Sequence, residues 1–382
     1  MNHSYFLESD MSLMEAPERN LAFDLVRVTE AAALASARWL GRGDKNAGDG
    51  AAVDAMRLSF NSLPIAGKVV IGEGEKDEAP MLYNGEIIGM GNGPSLDIAV
   101  DPVEGTNLLA YGRPNAIAVV GAAPGGSMYN PGPSFYMKKL VVGQAARDVI
   151  DLDAPVHVNL RLIAKALGKD TNDLVVFVLD KPRHQKLIQE IRAVGARIQL
   201  HTDGDVAGAL MAVDQRSEVD VMMGTGGTPE GVLAACAIKG AGGAMLARLD
   251  PQSEAEKAAI QEAGIDLAQI LDADTLVQGD DVFFAATGIS GGTFLRGVQF
   301  SGQGAVTHSM IIRNGLGRFP RPFRGAGSRR HDALHRIASQ LEQAHADQFH
   351  QIRLIYYTPG QRGSIFLSRR NNGRRPSLQQ AT

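Results

Sequence analysis

One cysteine, Cys236, stands among 382 residues, so no internal disulfide is available and a small core residue is the simplest role for it. A disulfide-stapled secreted scaffold is thereby excluded, and a cytoplasmic protein is expected. No apolar run approaches the roughly 20 residues that a membrane span needs. The stretch MNHSYFLESDMSLMEAPERN lacks the basic start and apolar core of a signal peptide. No membrane partner is therefore expected. Lysine is missing from residues 314–382, whose 12 basic residues are all Arg against 3 acidic ones, a charge of +9. Subtraction leaves 26 basic and 39 acidic residues, or -13, for residues 1–313, and -4 for the whole. This basic tail has no ordered spacing of aromatic and basic residues, so a solvated appendage is expected rather than a nucleic-acid partner. An all-Arg basic composition is also what an out-of-frame reading of a GC-rich gene gives.

What is present is enough apolar residue, 44%, for two domains sharing an interface. NLAFDLVRVTEAAALASARWL (20–40) and residues 50–63 carry apolar groups at helical spacing, joined through GRGDKNAGD, which reads as a polar loop. KVVIG (68–72), LDIAV (96–100), AIAVVG (116–121) and MKKLVVG (137–143) read as short strands bounded by Gly, Pro and Asn. From about residue 157, strand and helix alternate through DLVVFVLD, RIQLHTD and VDVMMGTG, with helices from 183, 205 and 230. The expectation is an α/β protein, α+β in its first half and α/β in its second. Its parts are an N-terminal extension (1–19), an α+β unit (20–156), an α/β unit (157–313) and an Arg-rich tail (314–382) largely without fixed structure. Within that tail HDALHRIASQLEQAHADQF reads as an amphipathic helix and IRLIYY as a candidate strand.

Acidic groups gather at strand and helix ends: GDKNAGDG (43–50), VIGEGEKDEAP (70–80) and LDIAVDPVEGTN (96–107). Carboxylates sharing a cleft repel one another unless a cation neutralises them. Oxygen ligands without paired His or Cys favour Mg2+ or Mn2+ over zinc. GTGGTPEGVLAACAIKGAGG (224–243) adds Glu230 at the start of a helix of small residues, where free N–H groups suit an anion. Each loop alone reads first as a solvated turn or a helix cap; their combination points to a phosphorylated substrate.

DPVEGTN looks like a variant of the Asp-Pro-Ile-Asp-Gly-Thr signature of the lithium-sensitive, metal-dependent sugar phosphatases, with Glu104 where most members have Asp. Together with GDKN, VIGEGEKDEAPMLY, FYMKKL, KPRH, DGDV, GGTPEGV and PEGVLAACAIKGAGG, it resembles class II fructose-1,6-bisphosphatase across roughly residues 20–313. The resemblance implies a layered αβαβα fold and metal-dependent removal of the 1-phosphate of fructose 1,6-bisphosphate, in gluconeogenesis or the Calvin cycle. It also implies a homo-oligomer, dimer or tetramer. Asp49, Glu73, Asp101, Glu104 and Glu230 would ligate the metals. Glu104, Gly105, Thr106, Tyr136, Lys181, Pro182, Arg183, Asp203, Gly204, Asp205 and Gly227 would meet the substrate. Asp77 and Thr106 would handle the attacking water, with Lys45 adding positive charge. Arg183 offers a planar fork to a phosphate and Asp203 and Asp205 accept from sugar hydroxyls. Tyr136 reads equally as a strand core residue, and Asp203 as a helix N-cap.

Two departures stand out. Ala47-Gly48 replaces a pair such as Thr-Ala, and the glycine is expected to loosen its loop. Beyond MIIRNG (310–315) the resemblance ends. The competing readings are a phosphatase of the same superfamily acting on sedoheptulose bisphosphate or an inositol phosphate, and a non-catalytic module holding structural Ca2+. The loops lack the alternating spacing of a calcium loop, which disfavours the second.

Overall fold

The computed structural model describes residues 21–74, 81–302 and 304–313, together with the backbone of strands at 351–358, 361–368 and 379–380. Two helices come first, α1 (Leu21–Ser36) and α2 (Lys45–Phe60). Then follow β1 (Ala66–Ile71), β2 (Ile87–Ile88), β3 (Ser95–Glu104), a short α3 (Thr106–Ala110) and β4 (Ile117–Pro124). Alternation begins with β5 (Tyr136–Val142), α4 (Val156–Leu167), β6 (Val175–Leu179), α5 (Gln185–Val194) and β7 (Arg197–His201). It continues through α6 (Asp205–Val213), β8 (Val221–Gly227), α7 (Thr228–Ala241), β9 (Ala244–Leu249) and α8 (Glu254–Glu262). After these come β10 (Leu271–Asp272), α9 (Ala273–Leu276), β11 (Phe283–Gly288), β12 (Gln299–Ser301) and β13 (Gly304–Arg313). The last strands are β14 (Gln351–Thr358), β15 (Gln361–Ser368) and β16 (Gln379–Gln380).

The strands form two sheets. One runs β16-β15-β14-β13-β11-β4-β3-β1-β2, with β12 on β13; the other runs β10-β9-β5-β8-β6-β7. Three apolar cores glue helices to them. Leu25, Met56, Phe60, Ile98 and Val120 join α1 and α2 to the outer face of the first sheet. Ala99, Val119, Met137, Phe177, Val232 and Leu233 fill the space between the sheets, around α6 and α7. Leu140, Val178, Leu160, Ile163 and Ile188 join α4 and α5 to the far face of the second sheet. The fold is α/β, layered αβαβα, as the resemblance implies.

Helix α7 explains its own composition. Ten of the fourteen residues of TPEGVLAACAIKGA are buried and none is exposed, because a helix between two sheets has no wet face, and small residues let both sheets approach. Cys236 packs there against Gly121, where an added Cβ would lie 2.8 Å from its sulfur. Burial pushes the Cys236 thiol up to about 12, so it is an inert core residue.

Several expectations are corrected. The sheets do not change at 156/157. β5 pairs with β8 and β9 of the second sheet, while β11 and β13 return to the first beside β4. Pairing between segments far apart in sequence decides this, and periodicity within a segment carries no trace of it. GRGDKNAGD is not a loop throughout: Asp44 caps α2, accepting the Ala47 N–H at 2.9 Å, and the chain is helical from Lys45. Nor does Gly48 loosen that segment. It is buried, and an added Cβ would stand 2.6 Å from Leu109 Cδ2 and 3.1 Å from the Trp39 Cβ.

The extension expected at 1–19 and the amphipathic helix expected at 331–349 lie outside the described residues. IRLIYY falls in β14, which pairs in parallel with β13 from Val306↔Gln351 to Ile312↔Tyr357, inside the stretch expected to lack fixed structure. β14 thus covers what would be an open edge, and open edges invite aggregation. A chain stopped after Gly315 is expected to lose most of its soluble yield, read from the soluble fraction and its gel-filtration profile. An unchanged monodisperse peak would show that the sheet does not need β14.

Candidate metal and phosphate site

Strand alternation aims Asp101. Leu96, Ile98 and Val100 face α1 and α2, whereas Ala99 faces the space between the sheets, and Asp101 shares its side. The register with β4 slips between Asp101 and Glu104, where the Val103 N–H donates to Asp101 Oδ1 at 3.0 Å. The chain then turns through Gly105, at φ +89°, into α3. A Cβ would be strained there. This turn carries Glu104 onto α6, whose Val206 N–H donates to Glu104 Oε1 at 2.8 Å.

Glu230 arrives from the other side, in the first turn of α7. An added Cβ at Gly227 would lie 1.6 Å from Glu230 Oε2, and one at Gly226 would lie 1.8 Å from Asp205 Oδ2. The paired glycines make room for two carboxylates. Asp49 comes from α2, and Glu73 from just beyond β1, where its N–H is tied to the Leu82 carbonyl at 3.0 Å.

Asp49, Glu73, Asp101, Glu104, Gly105, Thr106, Asp203 and Glu230 line one cavity of about 280 Å³. One oxygen each from Asp101, Glu104 and Glu230 lies within 4.8 Å of the other two. Burial pushes Glu73 up to about 8, with Asp49 and Glu230 adding to it. Burial likewise raises Asp101 and Glu104 well above the carboxylate range, with Glu73 acting on Asp101 and Asp101 on Glu104. Glu230 is raised by burial and by Asp205, against the pull of Lys139; Asp49 is raised by burial, against Lys45. Glu230 Oε2 is buried without a hydrogen-bond partner. An all-oxygen donor set with an orphaned carboxylate oxygen and crowded like charge fits a hard divalent cation.

Among the described residues, Lys45, Tyr136, Lys181, Pro182, Arg183, Gly204, Asp205 and Gly227 do not line this cavity. Lys45 is exposed, one helical turn before Asp49 on α2. Asp77 lies outside the described residues. Tyr136 pairs with Gly227 across β5 and β8, and its ring lies under Arg183, with Cζ 5.1 Å from the ring centroid. Arg183 Nε donates to the Thr225 carbonyl at 3.0 Å, in the turn Pro182–His184 that Lys181 caps after β6. Gly204 precedes α6, and Asp205, its first residue, is buried in an ion pair with Lys139. Asp203 reaches the cavity while accepting from Asn107 Nδ2 at 3.1 Å.

Residues 19–320 match the family described as bacterial fructose-1,6-bisphosphatase, glpX-encoded. The chain belongs to that family. Fructose-1,6-bisphosphatase class 2 of Haemophilus influenzae is 47% identical over 308 residues, spanning 77% of this chain and 92% of its own. Fructose-1,6-bisphosphatase 1 class 2 of Escherichia coli K12 is 46% identical over 308 residues, spanning 77% of this chain and 91% of its own.

Beside the motifs of this bisphosphatase family, three residues escaped the sequence reading. Asn107 holds Asp203. Glu256 Oε1 accepts the N–H groups of Phe135 and Tyr136 at 2.7 and 3.0 Å, fixing the start of β5. Lys139 ties down Asp205. Only Lys139 left a signal: two consecutive lysines in a strand put one on each face, and an apolar strand such as MKKLVV is covered on both.

The raised carboxylates set a pH dependence. Glu73 sits near 8 in the folded, metal-free chain against 4.5 ordinarily, so its protonated form favours folding. That contribution is full below about pH 4.5 and is lost as pH rises toward 8. Metal-free protein is therefore expected to lose melting temperature across this window. Added Mn2+ should raise the melting temperature more at the alkaline end than at the acid end, in a thermal-melt series. An equal Mn2+ effect at both ends would detach the carboxylates from cation binding.

Proposed function

We propose that the protein hydrolyses the 1-phosphate of fructose 1,6-bisphosphate, giving fructose 6-phosphate and phosphate, with Mn2+ or Mg2+ held by Asp49, Glu73, Asp101, Glu104 and Glu230. Membership of the bisphosphatase family supports this, as do the names of its relatives. The observation that carries it is the convergence of five carboxylates from four separate segments on one cavity beside Thr106. When bound, divalent cations supply positive charge to the phosphoryl oxygens and make water more acidic.

The protein's own groups do the rest. Thr106 lines the cavity next to Glu104, where its hydroxyl orients the attacking water. Asp77, four residues beyond Glu73, takes that water's proton. Asp203, braced by Asn107, accepts from sugar hydroxyls at the cavity wall. Arg183, laid over the Tyr136 ring and tied by Nε to Thr225, turns a fixed guanidinium plane toward the phosphate that does not react. Lys45 adds positive charge at the rim beside Asp49. A cytoplasmic location and a homo-oligomeric assembly, dimer or tetramer, belong to the same proposal. Phosphate release from a panel of sugar bisphosphates and inositol phosphates, with Mn2+ or Mg2+, tests it directly.

Glu104→Gln is expected to abolish phosphate release, by on the order of 10² or more, because it removes charge that matters most in the transition state. Far-UV circular dichroism should stay native, and activity within about tenfold of wild type would sink the ligand assignment. Arg183→Ala should instead raise KM for fructose 1,6-bisphosphate by roughly tenfold or more while kcat changes far less, since hydrogen bonds to charged groups contribute about 1.5–3 kcal/mol. Steady-state kinetics at saturating Mn2+ reads this, and an unchanged KM removes Arg183 from the site.

A further inference from the structure

A buried cation stands behind the acidic cavity without lining it. Lys139 is 2% exposed, on the face of β5 that also carries Met137 and Val141 into the core between the sheets. An ammonium in such surroundings persists only with strong partners. Its Nζ lies 2.5 Å from Asp205 Oδ2 and 2.7 Å from the carbonyl oxygen of Gly227. Those two groups mark two helix starts: Asp205 is the first residue of α6, and Gly227 is the cap of α7.

Each helix start holds one carboxylate of the cluster. The N–H of Val206, next after Asp205, donates to Glu104 Oε1 at 2.8 Å. Glu230, in the first turn of α7, lies so close over Gly227 that an added Cβ would meet its Oε2 at 1.6 Å. One ammonium therefore joins the two backbone segments on which Glu104 and Glu230 depend. It does so from the second sheet, whereas Asp101 and Glu104 come from the first.

We infer that Lys139 is a positioning residue of the hydrolytic site: through Asp205 and the Gly227 carbonyl it fixes where Glu104 and Glu230 present their carboxylates to a divalent cation, touching neither cation nor phosphate. The inference rests on the reading of Glu104 and Glu230 as cation ligands. It differs in sign from simple charge balance. A lysine that merely offsets acidic groups weakens cation binding, and its removal would tighten it; a lysine that positions ligands strengthens binding, and its removal loosens it.

Metal-free wild type, Lys139→Met and Lys138→Met are titrated with Mn2+, following free Mn2+ by electron paramagnetic resonance and the fold by circular dichroism. Lys138 is the control, since its Nζ lies on the other face of β5, against the Leu152 carbonyl at 3.3 Å. The expected result is a dissociation constant raised roughly 10- to 100-fold in Lys139→Met, the range seen when a group behind a metal ligand is removed. Lys138→Met should bind as wild type does. Equal or tighter binding by folded Lys139→Met overturns the inference, and so does equal weakening in Lys138→Met. If Lys139→Met fails to fold, the Lys139→Met/Asp205→Asn variant, which leaves no unpaired buried charge, is titrated instead and judged by the same two outcomes. Wild type that binds no Mn2+ overturns the cation site, and this inference with it, whereas binding confined to wild type and Lys138→Met supports both.

Discussion

Crowding of like charge around one small cavity is the constraint to which the rest of the molecule answers. Asp49, Glu73, Asp101, Glu104 and Glu230 reach it from both sides, and burial raises every one of them. For Glu73 alone the rise toward 8 means a penalty of a few kcal/mol on the charged form. A flexible scaffold would relieve such strain by swinging side chains into water. Here β3 is buried on both faces, and α7 is clamped between two sheets, so the carboxylates stay where the backbone puts them. Rigidity of the apolar layers keeps the acidic groups together, and that proximity makes a divalent cation a natural partner.

Relief comes from oriented polar groups. Backbone N–H groups of Val103 and Val206 point at Asp101 and Glu104, and the starts of α6 and α7 face the cluster with their positive ends. Gly226 and Gly227 thin the wall so that Asp205 and Glu230 fit against the chain itself. The glycines of GTGGTPEG thus act by admitting carboxylates, a role different from that of a loop wrapped around phosphate.

Local chemistry was legible in the sequence where local rules govern it. DPVEGTN announces a strand that ends in carboxylates, because Leu96, Ile98, Ala99 and Val100 precede it and Gly105-Thr106 turns the chain at its end. Glu230 reads as a helix start because Pro and Glu precede a run of small residues. What stayed hidden depends on distant partners. Asp203 finds Asn107, Gly48 meets Leu109, and β11 inserts beside β4 through contacts that no spacing within a segment encodes. GDKNAGD was a different kind of miss. Its Asp44 follows the ordinary N-cap rule, but glycine and charge outweighed that signal in favour of a loop. Lys139 was half-visible: alternation puts one of two adjacent lysines on each face of β5, while the contact of Lys139 with Asp205 lay beyond any sequence pattern.

The insertion of β11 beside β4 also bears on how the chain is made. Residues 125–282, 158 in all, separate the two strands. At about 5–20 residues per second on the ribosome, the β4 edge waits roughly 8–30 s for its neighbour. During that interval the strands of the second sheet, all drawn from the intervening stretch, emerge and pair among themselves. The nascent chain then carries a paired second sheet beside a first one with an exposed apolar edge. Ribosomes crowded on one message bring many such edges together, so yield depends on translation speed and chaperone supply as well as on the stability of the finished fold.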